Sequence, residues 1–249
     1  MSGTDLIGQA KTGTGKTLGF GIPIVQRIVS PTDPAYAQLE AAVGKPQALV
    51  VVPTRELALQ VAGDLETASA DLAIRVACLY GGRAYEPQIE QLESGVDIVV
   101  GTPGRLLDLH KQRHLTLSAV RILVLDEADE MLDMGFLPDV ERIVAAVPVR
   151  RQTMLFSATM PGQIISLARR YMNQPIHIRA QESSDESSMV AAIEQHVWRT
   201  HPLDKPELVS RILQAPGCER TIIFCRTKRA AQKLADDLEE RGFTAGAIH

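Results

Sequence analysis

The sequence has no long apolar run and no leader-like start. No purely apolar run is longer than the five residues of Ala48–Val52, whereas a helix that spans a membrane needs about 20. The first residues, MSGTD, lack the basic segment and apolar stretch of a secretory signal. The three cysteines, Cys78, Cys218 and Cys225, are an odd number at unrelated spacings, which argues against a disulfide framework or a zinc knuckle. These absences predict a protein of the reducing cytoplasm with no membrane partner.

The chain also has no excess of basic charge and only a few aromatic side chains. The 26 basic and 30 acidic residues give a net charge of −4, whereas a protein that holds nucleic acid by bulk charge is strongly basic. Aromatic residues make up only 4% of the chain, too few for a platform on which bases stack. Any contact with nucleic acid must therefore come from a few placed arginines and backbone amides.

The sequence does contain a regular alternation of short apolar runs and helical stretches up to about residue 180. Most of the runs are continuous rather than alternating, which is typical of strands buried on both faces of a parallel sheet. Thr54 is placed to cap one helix and Pro161 to open another. The pattern predicts an α/β fold, a mostly parallel sheet with helices on both faces. The predicted strands are Ala48–Val52, Arg75–Tyr80, Ile98–Gly101, Ile122–Leu125 and Met154–Phe156.

A serine-rich acidic segment divides the chain. Residues 181–188, QESSDESS, have no apolar anchor, which is typical of a solvated linker. We therefore predict a first domain over residues 1–180, a linker over 181–192 and a second domain over 193–249. The second stretch is too short to bury the core of a complete doubly wound domain, so we expect it to be incomplete. Within it we predict strands at 193–198, 221–224 and 244–248 and helices at 205–213 and 228–241.

The segment AKTGTGKT, residues 10–17, follows a short apolar run and precedes a helical stretch. Gly13 and Gly15 let the backbone curl so that successive N–H groups face an anion at the positive end of the helix. Lys16 would reach the β- and γ-phosphates, and the Thr17 hydroxyl would complete a magnesium shell. Ala10 stands where the general pattern has Gly, a modest departure, and the alternative of a flexible turn does not explain the flanking elements. The predicted nucleotide-binding residues are Ala10, Lys11, Thr12, Gly13, Thr14, Gly15, Lys16 and Thr17.

An acidic tetrad, residues 126–129, directly follows the apolar run 122–125. A strand end places Asp126 at the carboxyl edge of the sheet, where open α/β folds bind ligands. We predict that Asp126 holds magnesium and that Glu127 orients or deprotonates the attacking water. Alone, the tetrad could be a helix start that favours acidic residues through the helix dipole. Together with Lys16 it favours a catalytic nucleotide site formed by Lys16, Asp126 and Glu127.

Seven short motifs follow one another along the chain: AKTGTGKT (10–17), PTRELA (53–58), GG (81–82), TPGR (102–105), DEAD (126–129), SAT (157–159) and IIF (222–224). This ordered set resembles the DEAD-box family of ATP-dependent RNA helicases, of the bacterial type. Each motif alone is weak, but the series stands in the family's order and spans nearly the whole chain. The resemblance implies a RecA-like domain of the P-loop NTPase class followed by the start of a second one. It also implies ATP and Mg²⁺ as cofactors and RNA as a partner.

Three turns at the ends of predicted strands are candidate RNA contacts. Two of them offer amides, a hydroxyl and a guanidinium to a phosphate, and the third is a glycine pair that lets a backbone approach closely. Taken singly, each fits an ordinary capped helix or tight turn. At one edge of a sheet, they predict a shared surface that binds the RNA backbone with little base specificity. The residues are Pro53, Thr54 and Arg55; Gly81 and Gly82; and Thr102, Pro103, Gly104 and Arg105.

The resemblance carries further implications for coupling and for activity. It implies that Ser157 and Thr159 hydrogen-bond to the tetrad, including Asp129, and couple hydrolysis to strand separation. It also leads us to expect an adenine-reading glutamine upstream and a catalytic arginine downstream, and neither motif occurs within the chain. Because such an arginine accounts for about 10³–10⁵ in rate in related sites, we expect this chain alone to bind nucleotide weakly and turn it over slowly.

Three functions are compatible with these motifs. The leading one is an ATP-dependent RNA helicase that separates short duplexes locally. The second is a truncated, catalytically weak fragment that binds RNA or protein partners. The third is a DNA translocase of the same superfamily, which the combination of the acidic tetrad with PTREL disfavours. The protein partners themselves are not predicted by the sequence.

Overall fold

The computed structural model describes residues 3–10, 15–36, 39, 43–180, 194, 196–218 and 220–248. The chain separates into two compact units, residues 1–182 and 183–249. The predicted linker, 181–192, lies outside the described residues, so the predicted domain boundaries stay a prediction. Each unit is described here by itself.

The first unit contains one parallel sheet, with seven strands among its described residues. Their order across the sheet is β3-β4-β2-β5-β6-β1-β7, and every neighbouring pair is parallel. This confirms the predicted α/β fold, and the five predicted strands are all present with ends shifted by two residues at most. The strands are β1 Leu6–Gln9, β2 Ala48–Val51, β3 Val76–Leu79, β4 Ile98–Gly101, β5 Ile122–Leu125, β6 Gln152–Ser157 and β7 Ile176–Arg179.

Helices cover both faces of this sheet, and alternate residues of each strand supply the two cores. Leu49 and Val51 point into the core shared with α3 to α7, and Ala48 and Val50 into the core shared with α1 and α2. All four side chains are fully buried, which explains why the strand is apolar without a break. The helices are α1 Lys16–Arg27, α2 Arg55–Ala68, α3 Glu86–Glu93, α4 Pro103–Lys111, α5 Ala128–Asp133, α6 Leu137–Ala146 and α7 Gly162–Tyr171.

The predicted start of α2 is confirmed by its cap. Thr54 has an extended backbone, and its hydroxyl accepts a hydrogen bond from the Leu57 amide at 3.3 Å. Val61 and Leu65 follow on the buried stripe of the helix. A cap of this kind stabilises a helix by about 1 kcal/mol, and here it fixes the turn that joins β2 to α2.

Strand β7 was not among the predicted strands. It is the outer strand beside β1, and all four of its residues are exposed. Its sequence alternates Ile176, His177, Ile178 and Arg179, a pattern typical of a strand with one solvated face. The alternation was a usable signal, but four residues are too short for it to stand out.

The second unit confirms the predicted helices and corrects the predicted strands. Its helices are α8 Lys205–Leu213 and α9 Lys228–Glu240, with a short 3₁₀ helix at Pro202–Asp204. Residues 221–224 and 244–248 form no strand, and neither do the described residues of 193–198. An apolar run becomes a strand only beside strands that accept and donate its hydrogen bonds, and the described part of this unit has none.

The side chains of these corrected segments remain in solvent. Ile222, Phe224 and Ile248 are 82%, 94% and 99% exposed. Their apolar character therefore indicated a buried environment that this unit does not provide. Among all described residues, no helix has both the length and the apolar character needed to cross a bilayer.

Candidate functional site

The sheet order divides the predicted site residues into two groups along one edge. Because all strands are parallel, their carboxyl ends lie on the same edge, here called the carboxyl edge. Strands β5, β6 and β1 are neighbours there, and the predicted nucleotide and coupling residues follow them. Strands β3, β4 and β2 are neighbours on the other side, and the predicted RNA contacts follow those.

The phosphate loop is described at its two ends. The amide of Ala10 donates to the Ser157 carbonyl at 3.2 Å, and Lys11 to Thr14 lie outside the described residues. Gly15 precedes α1 with φ 81°, a left-handed conformation that costs other residues energy. Lys16 and Thr17 are the first two residues of the helix, where backbone N–H groups and the helix dipole favour an anion.

Lys16 and Glu127 form a buried ion pair. The Lys16 ammonium lies 2.6 Å from Glu127 Oε1, and each side chain is only 7% exposed. Two segments 111 residues apart in sequence are thereby joined into one site. A buried charge is costly unless an opposite charge compensates for it, so each of the two groups requires a partner of opposite charge.

Asp126 is the acidic residue at the end of β5. Its amide donates to the Val51 carbonyl, and its Oδ1 accepts from the Glu127 amide, both at 3.0 Å. Burial raises the pKa of Asp126 to about 6, with Lys16 opposing and Glu127 adding to the shift. A carboxylate destabilised by burial is a strong ligand for a cation.

Glu127 itself has a strained backbone. Its φ and ψ are 50° and 53°, the left-handed region that costs a residue with a side chain about 1–2 kcal/mol. Such strain concentrates at functional sites. Here it turns the chain sharply between β5 and α5 and aims the Glu127 carboxylate at Lys16.

The predicted coupling residues meet in one hydrogen-bonded cluster. Thr159 donates through both its amide and its hydroxyl to Asp129 Oδ2, each at 2.8 Å. The Asp129 amide donates to Ser157 Oγ at 3.2 Å, and that hydroxyl donates to the Thr159 carbonyl at 2.7 Å. Burial tends to raise the pKa of Asp129, but these hydrogen bonds outweigh it and hold the pKa below its ordinary value. The end of β6 is thus tied directly to the acidic tetrad.

The side chains that follow β1 and β5 at the carboxyl edge suit a magnesium nucleotide. Among the described residues, no group of three or more His, Cys, Asp or Glu side chains could hold a metal by itself. Mg²⁺ is ordinarily bound by one or two carboxylates together with phosphates and water. Asp126 and the half-buried Thr17 hydroxyl provide that minimal set, and Lys16 provides the positive charge for phosphate.

The second half of the carboxyl edge carries the predicted RNA contacts. Pro53 is buried, Thr54 caps α2, and the Arg55 guanidinium is exposed and lies 5.1 Å from the centre of the Tyr80 ring. Gly81 and Gly82 form an exposed turn after β3, in which Gly82 has φ 76°. An exposed turn without Cβ atoms leaves room for a backbone to approach.

The TPGR segment follows the neighbouring strand β4. The Thr102 amide donates to the Leu79 carbonyl at 3.0 Å, and Pro103 is the first residue of α4. A Cβ added to Gly104 would meet open space. Arg105 differs from the others because its side chain is buried against Tyr85.

Comparison with known proteins decides the family. The DEAD/DEAH box helicase family matches residues 1–167. The chain belongs to this family. The ATP-dependent RNA helicase CshA of Listeria monocytogenes is 44% identical over 251 aligned positions, which cover 100% of this chain and 45% of that protein. The ATP-dependent RNA helicase DeaD of Escherichia coli is also 44% identical, with 100% and 38% covered.

Solved structures agree with this membership. A DEAD box protein from the hyperthermophile Methanococcus jannaschii is 39% identical, with a TM-score of 0.65, and the match covers 99% of this chain and 62% of that one. The DEAD-box chain thus has the RecA-like α/β fold implied by its motifs. It spans less than half the length of the CshA and DeaD proteins named above.

Two polar residues that shape this DEAD-box site, Gln9 and Gln88, were not predicted from the sequence. Gln9 is the last residue of β1, and its side-chain Nε2 donates to the Ala158 carbonyl at 3.4 Å, while its side-chain Oε1 is buried without a partner among the described residues. Gln88 lies on the buried side of α3 and bonds to the turn after β3. The available signal was that Gln88 lies on the same helical stripe as the apolar Leu92.

Proposed function

We propose that this chain is the nucleotide-binding part, and part of the RNA-binding surface, of an ATP-dependent RNA helicase. The complete protein couples ATP hydrolysis to local separation of RNA duplexes. The observation that carries the proposal is the buried pair of Lys16 and Glu127 beside Asp126. It joins a phosphate loop to an acidic tetrad at the carboxyl edge, and the named relatives are ATP-dependent RNA helicases.

In this proposal each residue of the nucleotide site has a distinct role. Lys16 binds the β- and γ-phosphates in place of Glu127, and Thr17 and Asp126 hold the magnesium ion. When bound, the magnesium neutralises the charge that develops on the phosphates. Glu127, released from Lys16, orients the attacking water and accepts its proton.

The cluster of Asp129, Ser157 and Thr159 transmits the state of this site. Asp129 belongs to the same short helix start as Glu127, and Thr159 holds it by two hydrogen bonds. A shift of the tetrad on nucleotide binding therefore pulls on the segment that follows β6. We propose that this segment passes the change to the RNA surface, and that the protein acts on RNA in the cytoplasm, where its free cysteines stay reduced.

The 249-residue chain alone is expected to be a poor enzyme. The CshA and DeaD relatives are more than twice as long, and the described residues of the second unit form no sheet. In related phosphoryl-transfer sites an arginine from another domain or protein contributes about 10³–10⁵ in rate. We expect slow turnover that RNA stimulates only weakly.

Nucleotide binding and hydrolysis, measured with and without RNA, test the proposal. Lys16→Ala should abolish binding of a fluorescent ATP analogue because it removes the phosphate contact. Glu127→Gln should keep binding but reduce the slow hydrolysis to background, since a neutral amide accepts no proton. Exposed residues of the same two types supply matched controls: Lys111→Ala and Glu130→Gln should behave like the wild type.

Indifference of both activities to Lys16→Ala and Glu127→Gln would refute the catalytic reading. Binding of RNA without any hydrolysis, in the wild type and in both variants, would favour the catalytically inactive fragment. Hydrolysis stimulated by DNA but not by RNA would favour a DNA translocase.

A further inference from the structure

Arg105 lies beside the predicted RNA surface, but its guanidinium is enclosed. The residue is 7% exposed, and its guanidinium carbon lies 3.8 Å from the centre of the Tyr85 ring. Its Nη2 donates to the Arg83 carbonyl at 2.8 Å. Its Nη1 is buried and has no hydrogen-bond partner among the described residues. A phosphate at the surface cannot reach this group unless these contacts break.

Every one of these contacts falls on the segment 80–85, which carries the glycine turn. Tyr85 ends that segment, and its hydroxyl donates to Asp108 Oδ2 at 3.2 Å. Asp108 is three residues after Arg105, on the next turn of α4. Helix α4 therefore holds Tyr85 twice, through the ring and through the hydroxyl.

Gln88 closes the same segment from the inside. Its side chain is buried, its Oε1 accepts from the Tyr80 amide at 3.0 Å, and its Nε2 donates to the Ala84 carbonyl at 3.0 Å. Gly81 and Gly82 lie between these fixed points and are exposed. The turn thus has an ordered base and an open surface.

We propose that Arg105 is a positioning residue that holds the Gly81-Gly82 turn in shape, rather than a ligand of an RNA phosphate. The inference rests on the proposed RNA-binding function. A loop ordered in advance loses less conformational entropy on binding, so the turn gains affinity from contacts that never touch RNA. Arg55, which is exposed above the Tyr80 ring, is the arginine that contacts phosphate.

The salt dependence of RNA binding separates the two roles. For single-stranded nucleic acid, each lost phosphate contact makes the slope of log affinity against log salt shallower by about 0.7. The probe is a fluorescein-labelled ten-nucleotide oligouridylate, and its affinity for the 249-residue chain is measured by anisotropy over a series of NaCl concentrations. The variants are Arg105→Gln, Arg105→Lys and Tyr85→Leu, with Arg55→Gln as the matched control.

We expect Arg105→Gln and Tyr85→Leu each to weaken binding by about 3- to 10-fold through lost preorganisation. Both should keep the wild-type slope, and the double variant should bind no more weakly than either. Arg105→Lys should lose as much RNA affinity, because an ammonium cannot stack flat on an aromatic ring and donate several hydrogen bonds in a fixed plane, as a guanidinium does. Arg55→Gln should instead give a shallower slope.

Amide exchange in the absence of RNA provides a second measurement on the same proteins. Residues 81–85 should exchange faster in the Arg105 and Tyr85 variants, while β2 stays as protected as in the wild type. If Arg105→Gln does not fold, Tyr85→Leu, which leaves the guanidinium in place, decides the question.

The proposal is overturned if Arg105→Gln gives the shallower slope while Arg105→Lys and Tyr85→Leu bind like the wild type. It is equally overturned if amide exchange at 81–85 is unchanged in the variants. A wild-type chain that binds no RNA at any salt concentration refutes the proposed function instead, and the exchange experiment still tests whether Arg105 orders the turn.

Discussion

Lys16 and Glu127 illustrate how a buried ion pair serves a site rather than stability. Removing two charges from water costs several kcal/mol per ion, and their attraction only roughly compensates for it. Each side chain is 7% exposed, so most of this cost is met during folding. In the proposed function, a triphosphate that replaces Glu127 on Lys16 would therefore meet an ammonium that is already desolvated, which would strengthen the contact.

Asp126 has a pKa of about 6 because burial disfavours its charged form, and this predicts a pH-dependent stability. The folded-state pKa lies above the ordinary 3.8, so ionisation destabilises the fold as the pH rises from about 4 to 6. The shift corresponds to about 3 kcal/mol. Without Mg²⁺, Asp126→Asn should match the wild type near pH 4 and be more stable above pH 6, up to that amount.

Urea unfolding of both proteins between pH 4 and pH 8 measures this difference. Asp139→Asn, which changes a partly exposed carboxylate on α6, is the control for an Asp-to-Asn change outside the site. A stability difference at Asp126 that stays constant over the whole pH range would contradict the assigned cause. Mg²⁺ should reduce the advantage of the Asn variant, because the ion compensates the buried charge.

Individual site residues were predictable to different degrees for physical reasons. Lys16 and Asp126 were predictable because each belongs to a short motif that follows a predicted strand. The structure brings the two residues together. The enclosure of Arg105 was not predictable, because it depends on how Tyr85 of another element packs. Local sequence reports residue chemistry but not which side chain covers it.

At the scale of elements, β1 packs closely against its neighbour β6 through a glycine. A Cβ at Gly8 would lie 2.5 Å from ring atoms of Phe156, which is closer than van der Waals contact allows. Gly8→Ala should therefore lower the free energy of unfolding by about 1–3 kcal/mol, as overpacking does. Denaturant unfolding of the purified variant measures this change.

Gly63 in α2 is the matched control for that substitution. Nothing lies within 4 Å of a Cβ added there, and alanine is the better helix former. Gly63→Ala should accordingly stabilise the protein by about 0.5–1 kcal/mol. Equal effects of the two substitutions would show that backbone entropy, rather than the Phe156 contact, dominates at Gly8.

Element prediction succeeded where a run is long or buried and failed where tertiary partners decide. Strands β4 and β5 begin and end as predicted, and both are buried along their whole length. The run 221–224 is equally apolar, yet it forms no strand. Propensity for a strand is largely the fit of a side chain to neighbouring strands, and such neighbours are not visible in a local window.

At the scale of the whole molecule, strand order is what organises the carboxyl edge. The predicted nucleotide and coupling residues follow β5, β6 and β1, and the predicted RNA contacts follow β3, β4 and β2, so each proposed function occupies adjacent strand ends. This separation was not predictable from the alternation of strands and helices, which is compatible with many orders. Since β2 and β5 are neighbours, the two predicted groups of site residues meet at the centre of the sheet.

The two units of the chain should differ sharply in how their backbones are protected. Strands β2 and β5 are fully buried at the centre of the first sheet, so their amides should exchange only through global unfolding. Residues 221–224 and 244–248 form no strand, and their amides should exchange at nearly the rate of an unfolded chain. Hydrogen exchange followed by mass spectrometry on the intact 249-residue protein measures the strands and these two segments in one sample. Helix α9, which lies in sequence between 221–224 and 244–248, is an internal reference of intermediate protection. Strong protection at 221–224 would show instead that these residues pair as a strand.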